Sequence, residues 1–334
     1  MRPAIFASLL AAATVLAGAA TAVYAPPPPP RLMALTFDDL PYVGPPAAET
    51  LQNAERTTAA ILRALASHKA PAVAFVNESR LHVPGEVDAR IALLQRWIDG
   101  GAILGNHTYS HPDFNALTIE QFEDEIIKGE VVCRRLMQPH EPYQKYFRHP
   151  QTHTGDTREK KEAIEGFLAA RGYKVAPHTI DSSDYIFNVG YVEALAAKDA
   201  DAASRVRDAY VAFVVSATEF AETISPQVFG REIAQTLLLH ANDLNADSLY
   251  EFLGMLERRG YRFVPLDEAM ADPAYATRDT YVTTFGPSWL SRWNKSQGMS
   301  ISFRGDPEPP EWVTDLYARP SRAGAPLPRP GQAR

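Results

Sequence analysis

The chain contains very little cysteine and no strongly basic segment. Cys133 is the single cysteine among 334 residues, so no disulfide can form within the chain. It lies among the apolar positions of a helical pattern, which predicts a small buried side chain and not a reactive thiol. The formal net charge is −7 and no basic run is present, which argues against nucleic acid or an anionic membrane as a partner.

The first 30 residues have the features of an export signal followed by a spacer. One arginine precedes an apolar stretch from Ile5 to about Gly18, and Ala20 and Ala22 form a small-x-small cleavage site. The pattern predicts a signal peptide over residues 1–22, too short and too alanine-rich for a transmembrane helix. The proline run that follows predicts an extended tether over 23–30. We therefore expect a secreted or periplasmic protein with no membrane insertion after cleavage.

From residue 31 onward, short apolar runs alternate with helical patterns. Strands are predicted at 32–37, 72–76, 102–105, 144–147, 173–180, 236–240 and 261–264. Helices are predicted at 50–67, 87–99, 119–137, 157–171, 203–224 and 247–259. This alternation predicts an α/β fold with about seven parallel strands, open or closed into a barrel, and helices outside. It stops near residue 278, so 278–334 is expected to be a C-terminal extension with a frayed tail.

Five of the seven predicted strands run out into titratable or metal-binding residues. Their ends read Asp38-Asp39, GNHTYSH at 105–111, RHPQ at 148–151, DSSDY at 181–185 and LLLH at 237–240. In parallel sheets and barrels alike, ligand sites lie at the carboxyl ends of the strands. These side chains are therefore expected to meet at one site.

Two histidines and an aspartate form a candidate metal site. His107 and His111 are spaced i, i+4, which on a helical turn puts both rings on one face. With one aspartate from the first strand they make a two-His-one-carboxylate set, which leaves coordination positions open for water and substrate. The break that begins at Pro41 would let both Asp38 and Asp39 reach the site. One could then bind the metal while the other stays free to accept a proton.

Five motifs in a fixed order carry a family resemblance. They are TFDD (36–39), H-T-x-x-H (107–111), R-x-P (148–150), D-x-x-D before an aromatic residue (181–185), and L-x-H (238–240). The chain resembles the polysaccharide deacetylases, also called the NodB-homology domain or carbohydrate esterase family four. The resemblance implies a distorted (β/α) barrel as a catalytic domain over 31–277. It also implies one divalent metal ion, with Zn²⁺ expected first and Co²⁺, Mn²⁺, Ni²⁺ or Fe²⁺ as alternatives, and hydrolysis of acetyl groups on a glycan, with N-acetylglucosamine-type amides expected first.

The resemblance assigns the central roles. It implies that Asp38 is the catalytic base and that Asp39, His107 and His111 are the metal ligands. It further implies that His240 is the general acid that protonates the leaving group.

The resemblance also assigns supporting roles. Arg148 would orient Asp38 and keep it ionised, Asp184 (or alternatively Asp181) would hydrogen-bond the general acid, and the backbone N–H of Gln151 would meet the oxyanion. The chain departs from the family at two places, because Gln151 follows R-x-P where Tyr-Gly is frequent and Tyr185 replaces a tryptophan. Both changes fall where the sugar or acyl group would pack, so the identity of the glycan stays open.

Three other functions are also compatible with the sequence. A hydrolase of the same fold could cleave a non-carbohydrate amide. A non-haem iron oxygenase shares the two-His-one-carboxylate set, but it has no use for a free base and acid. A third possibility is a non-catalytic glycan-binding relative, which would keep its function after substitution of Asp38.

Two further groups of residues lie outside the motifs. We expect three histidines to be neutral, hydrogen-bonded surface residues: His149, His153 and His178. We expect three tryptophans to pack the extension onto the barrel: Trp289, Trp293 and Trp312. The alternative is that they stack on sugar rings.

Overall fold

The computed structural model describes residues 31–319, so the predicted signal peptide at 1–22, the tether at 23–30 and the tail from 320 lie outside the described residues. The strands are β1 (Arg31–Leu40), β2 (Ala72–Val76), β3 (Ile103–Asn106), β4 (Lys145–Phe147), β5 (Tyr173–Val175), β6 (Ile180–Asp181), β7 (Gln235–His240) and β8 (Tyr261–Phe263). The first eight α-helices are α1 (Leu51–Ser67), α2 (Val87–Asp99), α3 (Ile119–Lys128), α4 (Val131–Met137), α5 (Arg158–Ala170), α6 (Asp184–Ala196), α7 (Ala200–Phe229) and α8 (Asp243–Arg258). Three short helices follow, α9 (Leu266–Met270), α10 (Trp289–Ser296) and α11 (Glu311–Ala318).

Strand β1 lies at the centre of a parallel sheet. The order is β5-β4-β3-β2-β1-β7-β6, and β8 pairs with the first residues of β1. Met33 is opposite both Gln235 of β7 and Phe263 of β8, and Leu35 is opposite both Ala72 of β2 and Leu237 of β7. Strands β8 and β2 therefore follow one another along one edge of β1, while β7 takes the other edge. The last eight residues of β1 are buried, as expected for a strand covered on both faces.

The sheet is curled into a distorted barrel. Strands β5 and β6 occupy the two ends of the strand order, yet only residues 176–179 separate them along the chain. A linker of this length spans at most about 3.3–3.6 Å per residue, so the two edges of the sheet must come close together. The single strand predicted at 173–180 is therefore wrong, because the chain leaves one edge there and joins the other. The predicted distorted (β/α) barrel of about seven parallel strands with outer helices is confirmed.

The helix predicted over 119–137 is broken in two. Helix α3 ends at Lys128, and α4 begins at Val131 after Gly129. A Cβ on Gly129 would lie 2.5 Å from the carbonyl carbon of Thr108, so only glycine lets the helix end approach that backbone so closely. Thr118 and Gln121 form a capping box at the start of α3. The break matters for the site, because Thr108 lies between the two histidines of the third strand end.

The C-terminal extension packs into the main core. Trp289 and Trp293 of α10 and Val313 and Tyr317 of α11 are buried in the cluster that also contains β1 and β7. Trp312 is half-buried, with the Arg205 guanidinium 4.3 Å from its ring centroid. These contacts agree with packing of the extension, while the domain boundary at 277/278 stays a prediction.

Two further expectations concern burial and the membrane. Cys133 is buried, as predicted, and burial raises the pKa of its thiol well above the ordinary value. Within residues 31–319, no helix is both long and apolar enough to cross a membrane.

Candidate active site

The end of β1 turns so that two adjacent carboxylates reach the same mouth. The pairing of β1 with β2 shifts register between Phe37 and Leu40, which is the mark of a bulge. Within it, Asp39 has a left-handed backbone with φ of 65°. Side chains of successive strand residues normally point to opposite faces, and this rotation removes that constraint. The turn thus occurs at Asp39 itself, earlier than the break predicted from Pro41 onward.

His107 and His111 meet through a loop, so the predicted helical turn is wrong. Thr108 and His111 have φ values of 69° and 60°, and the segment is not helical. The Asn106 carboxamide oxygen accepts a hydrogen bond from the Thr108 N–H at 2.7 Å, and Thr108 Oγ1 accepts one from the His111 N–H at 3.2 Å. The two imidazole centroids are 4.9 Å apart. The expected proximity holds, but local polar side chains and not helix periodicity produce it.

Asp39, His107 and His111 form a candidate metal site. Asp39 Oδ1 lies 3.6 Å from Nε2 of each histidine, and the three ligand atoms are all within 4.8 Å of one another. A tetrahedral ion with bonds of about 2.1 Å would separate its ligands by about 3.4 Å. His107 Nδ1–H donates to the Arg148 carbonyl at 2.8 Å, which leaves its Nε2 lone pair for a ligand.

Charge and burial also suit a divalent cation. Burial lowers the pKa of His107 and of His111 to about 4, although the Asp39 charge opposes this, so both rings are neutral near pH 7. Burial would raise the pKa of Asp39, but the neighbouring His111, Arg80 and His107 hold it well below its usual range. Among the described residues, buried Oδ1 of Asp39 has no hydrogen-bond partner. A buried carboxylate with neutral imidazoles around it fits a metal ligand set.

Asp38 lies beside this set with a different environment. Its Oδ2 is 3.6 Å from His107 Nε2 and 3.9 Å from Arg148 Nη1. Arg148 is fully buried, and its Nη2 donates to Thr36 Oγ1 at 2.8 Å. Burial raises the pKa of Asp38 to about 6 although the Arg148 charge opposes it. Asp38 can therefore accept a proton near neutral pH.

His240 is bound to Asp184 and not to Asp181. The His240 imidazole Nδ1 is 2.6 Å from Asp184 Oδ1, and the His240 backbone N–H donates to Asp184 Oδ2 at 2.7 Å. Asn245 Nδ2 also donates to the Asp184 carboxylate. Asp181 Oδ1 instead accepts from the Ser183 N–H at 2.8 Å. Burial alone would lower the pKa of His240, but Asp184 and the two β1 carboxylates raise it to about 10.

The remaining two predicted residues flank these groups. His240 is directly opposite Asp38 in the β1–β7 ladder, and the Tyr185 ring is 5.7 Å from the His240 ring. Tyr185 is 39% exposed, as a side chain that meets a ligand can be. Gln151 lies in the short turn Pro150–Thr152 after β4 and has a φ of 54°. Its carbonyl oxygen would be 2.0 Å from a Cβ placed on Gly286, so the C-terminal extension packs directly on this turn.

Sequence reasoning missed two residues at the end of β2. Asn77 Nδ2 donates to the His107 carbonyl at 2.6 Å, and Arg80 Nη2 lies 3.9 Å from Asp39 Oδ2. Both residues follow the strand predicted at 72–76, and this position at a strand end is the sequence signal that points to them.

Two of the three extra histidines differ from their prediction. His149 and His178 are buried, so the predicted surface position is wrong for both, although burial does keep them neutral by lowering the pKa of each well below its usual value. His153 is half-buried, and its Nδ1 is 2.7 Å from Asp113 Oδ1.

Part of the chain is similar to known proteins. Residues 25–167 match the family model described as polysaccharide deacetylase. A peptidoglycan-N-acetylglucosamine deacetylase of Bacillus cereus is 30% identical over 105 residues, which are 31% of this chain and 31% of that protein. The chain thus matches about a third of the length of that curated relative.

The chain is also similar to several solved structures. A family 4 acetyl xylan esterase from Clostridium thermocellum in complex with a cobalt ion is 20% identical, with a TM-score of 0.47 over 72% of this chain and 91% of that chain. A CE4 family pseudoenzyme from Bacillus anthracis is 17% identical, with a TM-score of 0.48 over 73% of this chain and 66% of that chain. The family-model match contains Asp38, Asp39, His107, His111 and Arg148. Over residues 25–167 the chain is therefore similar to the polysaccharide deacetylase family.

Proposed function

We propose that this chain is a divalent-metal-dependent hydrolase that removes acetyl groups from an acetylated carbohydrate, with N-acetylglucosamine-type amides as the first expectation. One observation carries the proposal. The Asp39, His107 and His111 set lies beside two proton-transfer groups of opposite character, Asp38 and His240. Hydrolysis of an amide needs both, because water must lose a proton and the amine must gain one.

Asp39, His107 and His111 would hold the ion, with Zn²⁺ expected first and Co²⁺, Mn²⁺, Ni²⁺ or Fe²⁺ as alternatives. When bound, such an ion acts as a Lewis acid and lowers the pKa of water. The Arg148 carbonyl fixes the His107 ring, and Asn77 fixes the His107 backbone. These contacts orient the ligand before any ion arrives.

The chain's own side chains carry the proton steps. Asp38, ionised at neutral pH, accepts the proton of the attacking water. Arg148 Nη1 lies 3.9 Å from Asp38 Oδ2, and its positive charge favours the ionised carboxylate. His240 is protonated at neutral pH and donates its proton from Nε2 to the leaving nitrogen, because Nδ1 is engaged by Asp184. Asp184 holds the ring in that orientation.

Two residues would contact the substrate. The backbone N–H of Gln151 donates to the developing oxyanion, and Tyr185 packs against the sugar or acyl group beside His240. The export signal predicted at 1–22 favours a secreted or periplasmic enzyme, where glycan substrates of this kind are found. A non-haem iron oxygenase would leave both Asp38 and the His240–Asp184 pair without a role.

The decisive experiment is acetate release by metal-reconstituted protein from chitin oligomers, peptidoglycan, acetylxylan and small amides. Asp38→Asn should lose turnover by a factor of about 10²–10⁴ and keep its metal, since the amide cannot accept a proton. Asp39→Asn should lose metal, because a neutral amide oxygen is a poorer ligand. Asp208→Asn, an exposed carboxylate on α7, is the matched control and should change neither.

Two outcomes would contradict the proposal. Acetate release from small amides without release from any glycan would favour the non-carbohydrate alternative. If the parent protein shows no turnover and Asp38→Asn binds glycan as well as the parent does, the chain is a non-catalytic glycan-binding relative.

A further inference from the structure

A cavity of about 650 Å³ lies between the β6–α6 segment, helix α7 and the C-terminal extension. Its volume is within the range of pockets that hold small-molecule ligands. Phe213 and Phe220 of α7 form one wall, and Phe285, Ser291 and Phe303 of the extension form the other. None of the metal-ligand candidates lines it, so it is a space next to the candidate active site and not the site itself.

The cavity touches the candidate active site at two points. Tyr185 lines it, and the Tyr185 ring is 5.7 Å from the His240 imidazole. Gly286 also lines it and packs against the Gln151 carbonyl so closely that a Cβ there would lie 2.0 Å from that oxygen. A group bound in the cavity would therefore lie beside both the general-acid position and the oxyanion turn.

The chemistry of the walls restricts the ligand. Aromatic rings from α7 and the extension offer apolar faces, and hydroxyl groups such as those of Ser183, Ser288 and Ser291 lie among them. A hydrocarbon chain would strand these hydroxyls without partners. Charges of both signs border the cavity, with Lys295 and Arg304 near Asp306 and Glu308, so a strongly anionic ligand gains little. A pyranose ring has apolar C–H faces and a rim of hydroxyls, and it fits both features.

The position next to His240 indicates which part of the substrate enters. His240 donates to the leaving nitrogen, and that nitrogen stays on the sugar after hydrolysis. We propose that the cavity binds a sugar unit adjoining the one that is deacetylated, so that the C-terminal extension selects oligosaccharide over monosaccharide substrates. This inference rests on the proposed function and adds to it a binding site built by residues beyond the family-model match at 25–167.

The test measures binding of tri-N-acetylchitotriose by titration calorimetry, separately from turnover. Phe303→Ala removes one aromatic wall, whose ring packs 5.9 Å from the Phe220 ring, and should weaken binding by about two- to tenfold. Ser291→Trp places a large side chain in the cavity and should weaken binding more. Tyr250→Ala, an exposed aromatic on α8 outside the cavity, is the matched control and should bind as the parent does. Circular dichroism checks that each variant is folded, and either cavity variant alone suffices for the test.

The outcomes separate this inference from the proposed function. If the parent binds chitotriose and both cavity variants bind it equally well, the cavity is not a sugar site, even where acetate is released. If Asp38→Asn still binds chitotriose and Ser291→Trp does not, the cavity inference holds even where no acetate is released. Equal affinity of the parent for N-acetylglucosamine and its trimer would also overturn it.

Discussion

At the scale of single residues, His240 is held at both its ring and its backbone by one buried carboxylate. Asp184 accepts from both groups and is itself fixed by Asn245. A carboxylate hydrogen-bonded to an imidazole favours the charged ring, which is why the pKa of His240 rises despite burial. The same contact sets the direction of proton donation, since only Nε2 remains for the substrate.

Asp184→Asn should therefore shift the alkaline limb of the pH–rate profile to lower pH. The limb reports loss of the proton from His240. Among the groups that raise the pKa of His240 to about 10, Asp184 contributes most, through its charge and its hydrogen bond. With a neutral partner, the imidazolium loses its proton at lower pH, and activity falls sooner as pH rises. The measurement is kcat/KM for acetate release across pH 6 to 11.

Asp181→Asn is the matched carboxylate for this experiment. It lies three residues earlier in the same motif but bonds the Ser183 backbone and not His240. Its alkaline limb should shift less than that of Asp184→Asn. An equal shift in both variants would mean that general negative charge, and not the hydrogen bond, controls His240.

The residues of this site were largely predictable, because each motif lies at a strand end. Asp38, Asp39, His107, His111, Arg148, Asp184 and His240 converge as expected. The buried positions of His149 and His178 were not predictable from local sequence. Their burial depends on the extension and on packing between distant segments, and polar residues are usually expected at the surface.

At the scale of elements, the C-terminal extension holds the turn that contains Gln151. Arg292 of α10 is fully buried and donates to the Thr152 carbonyl at 3.0 Å and to Thr154 Oγ1 at 2.9 Å. It also forms an ion pair with Asp279 at 3.2 Å. Gln151 and Thr152 both have left-handed backbones, a conformation that costs free energy unless the surroundings enforce it.

Arg292→Met should lower the free energy of unfolding by about 3 kcal/mol, the scale of breaking a buried ion pair from one side. It should also reduce kcat at temperatures where the variant is folded, because the turn loses its anchor. Arg292→Lys should restore part of both. Chemical denaturation gives the stability, and acetate release gives the rate.

Arg262→Met is the matched control for this prediction, since its ion pair with Glu268 is exposed and such pairs contribute at most about 1 kcal/mol. A variant of Arg292 that keeps full kcat while losing stability would show that the extension supports the fold but not the turn.

Element boundaries were predictable where periodicity is local and not where tertiary contacts override it. Strand β2 and helix α2 have the predicted bounds, because apolar residues follow one period throughout. The strand predicted over 173–180 divides because its two halves pair with strands at opposite ends of the sheet. Helix α6 was not predicted at all. Seven of its thirteen residues are buried, so it lacks the polar face that reveals an amphipathic helix.

At the scale of the whole molecule, buried neutral histidines make folding depend on pH. His178 is packed edge-to-face against Trp289 of the extension, with ring centroids 5.6 Å apart. Burial and the nearby arginines lower its pKa far below 6.5, so the folded protein keeps it neutral where the unfolded chain would protonate it. The unfolded state then binds more protons, and stability must fall as pH decreases below about 6.5.

His178→Asn should make the free energy of unfolding fall less steeply as the pH decreases. Each such histidine contributes up to about 1.4 kcal/mol per pH unit below its unfolded pKa, so the slope of unfolding free energy against pH between 6 and 5 should drop by about that amount. The raised pKa of Asp38 acts in the opposite direction over part of this range, but it is common to both proteins and cancels in the difference. Urea denaturation at each pH gives the two slopes.

Trp289→Phe is the control, because it perturbs the same ring contact without removing a titratable group. It should lower the free energy of unfolding at every pH and leave the slope unchanged. An identical slope for His178→Asn and the parent would mean that the His178 ring becomes protonated in the folded state, and therefore that the extension does not shield it from water.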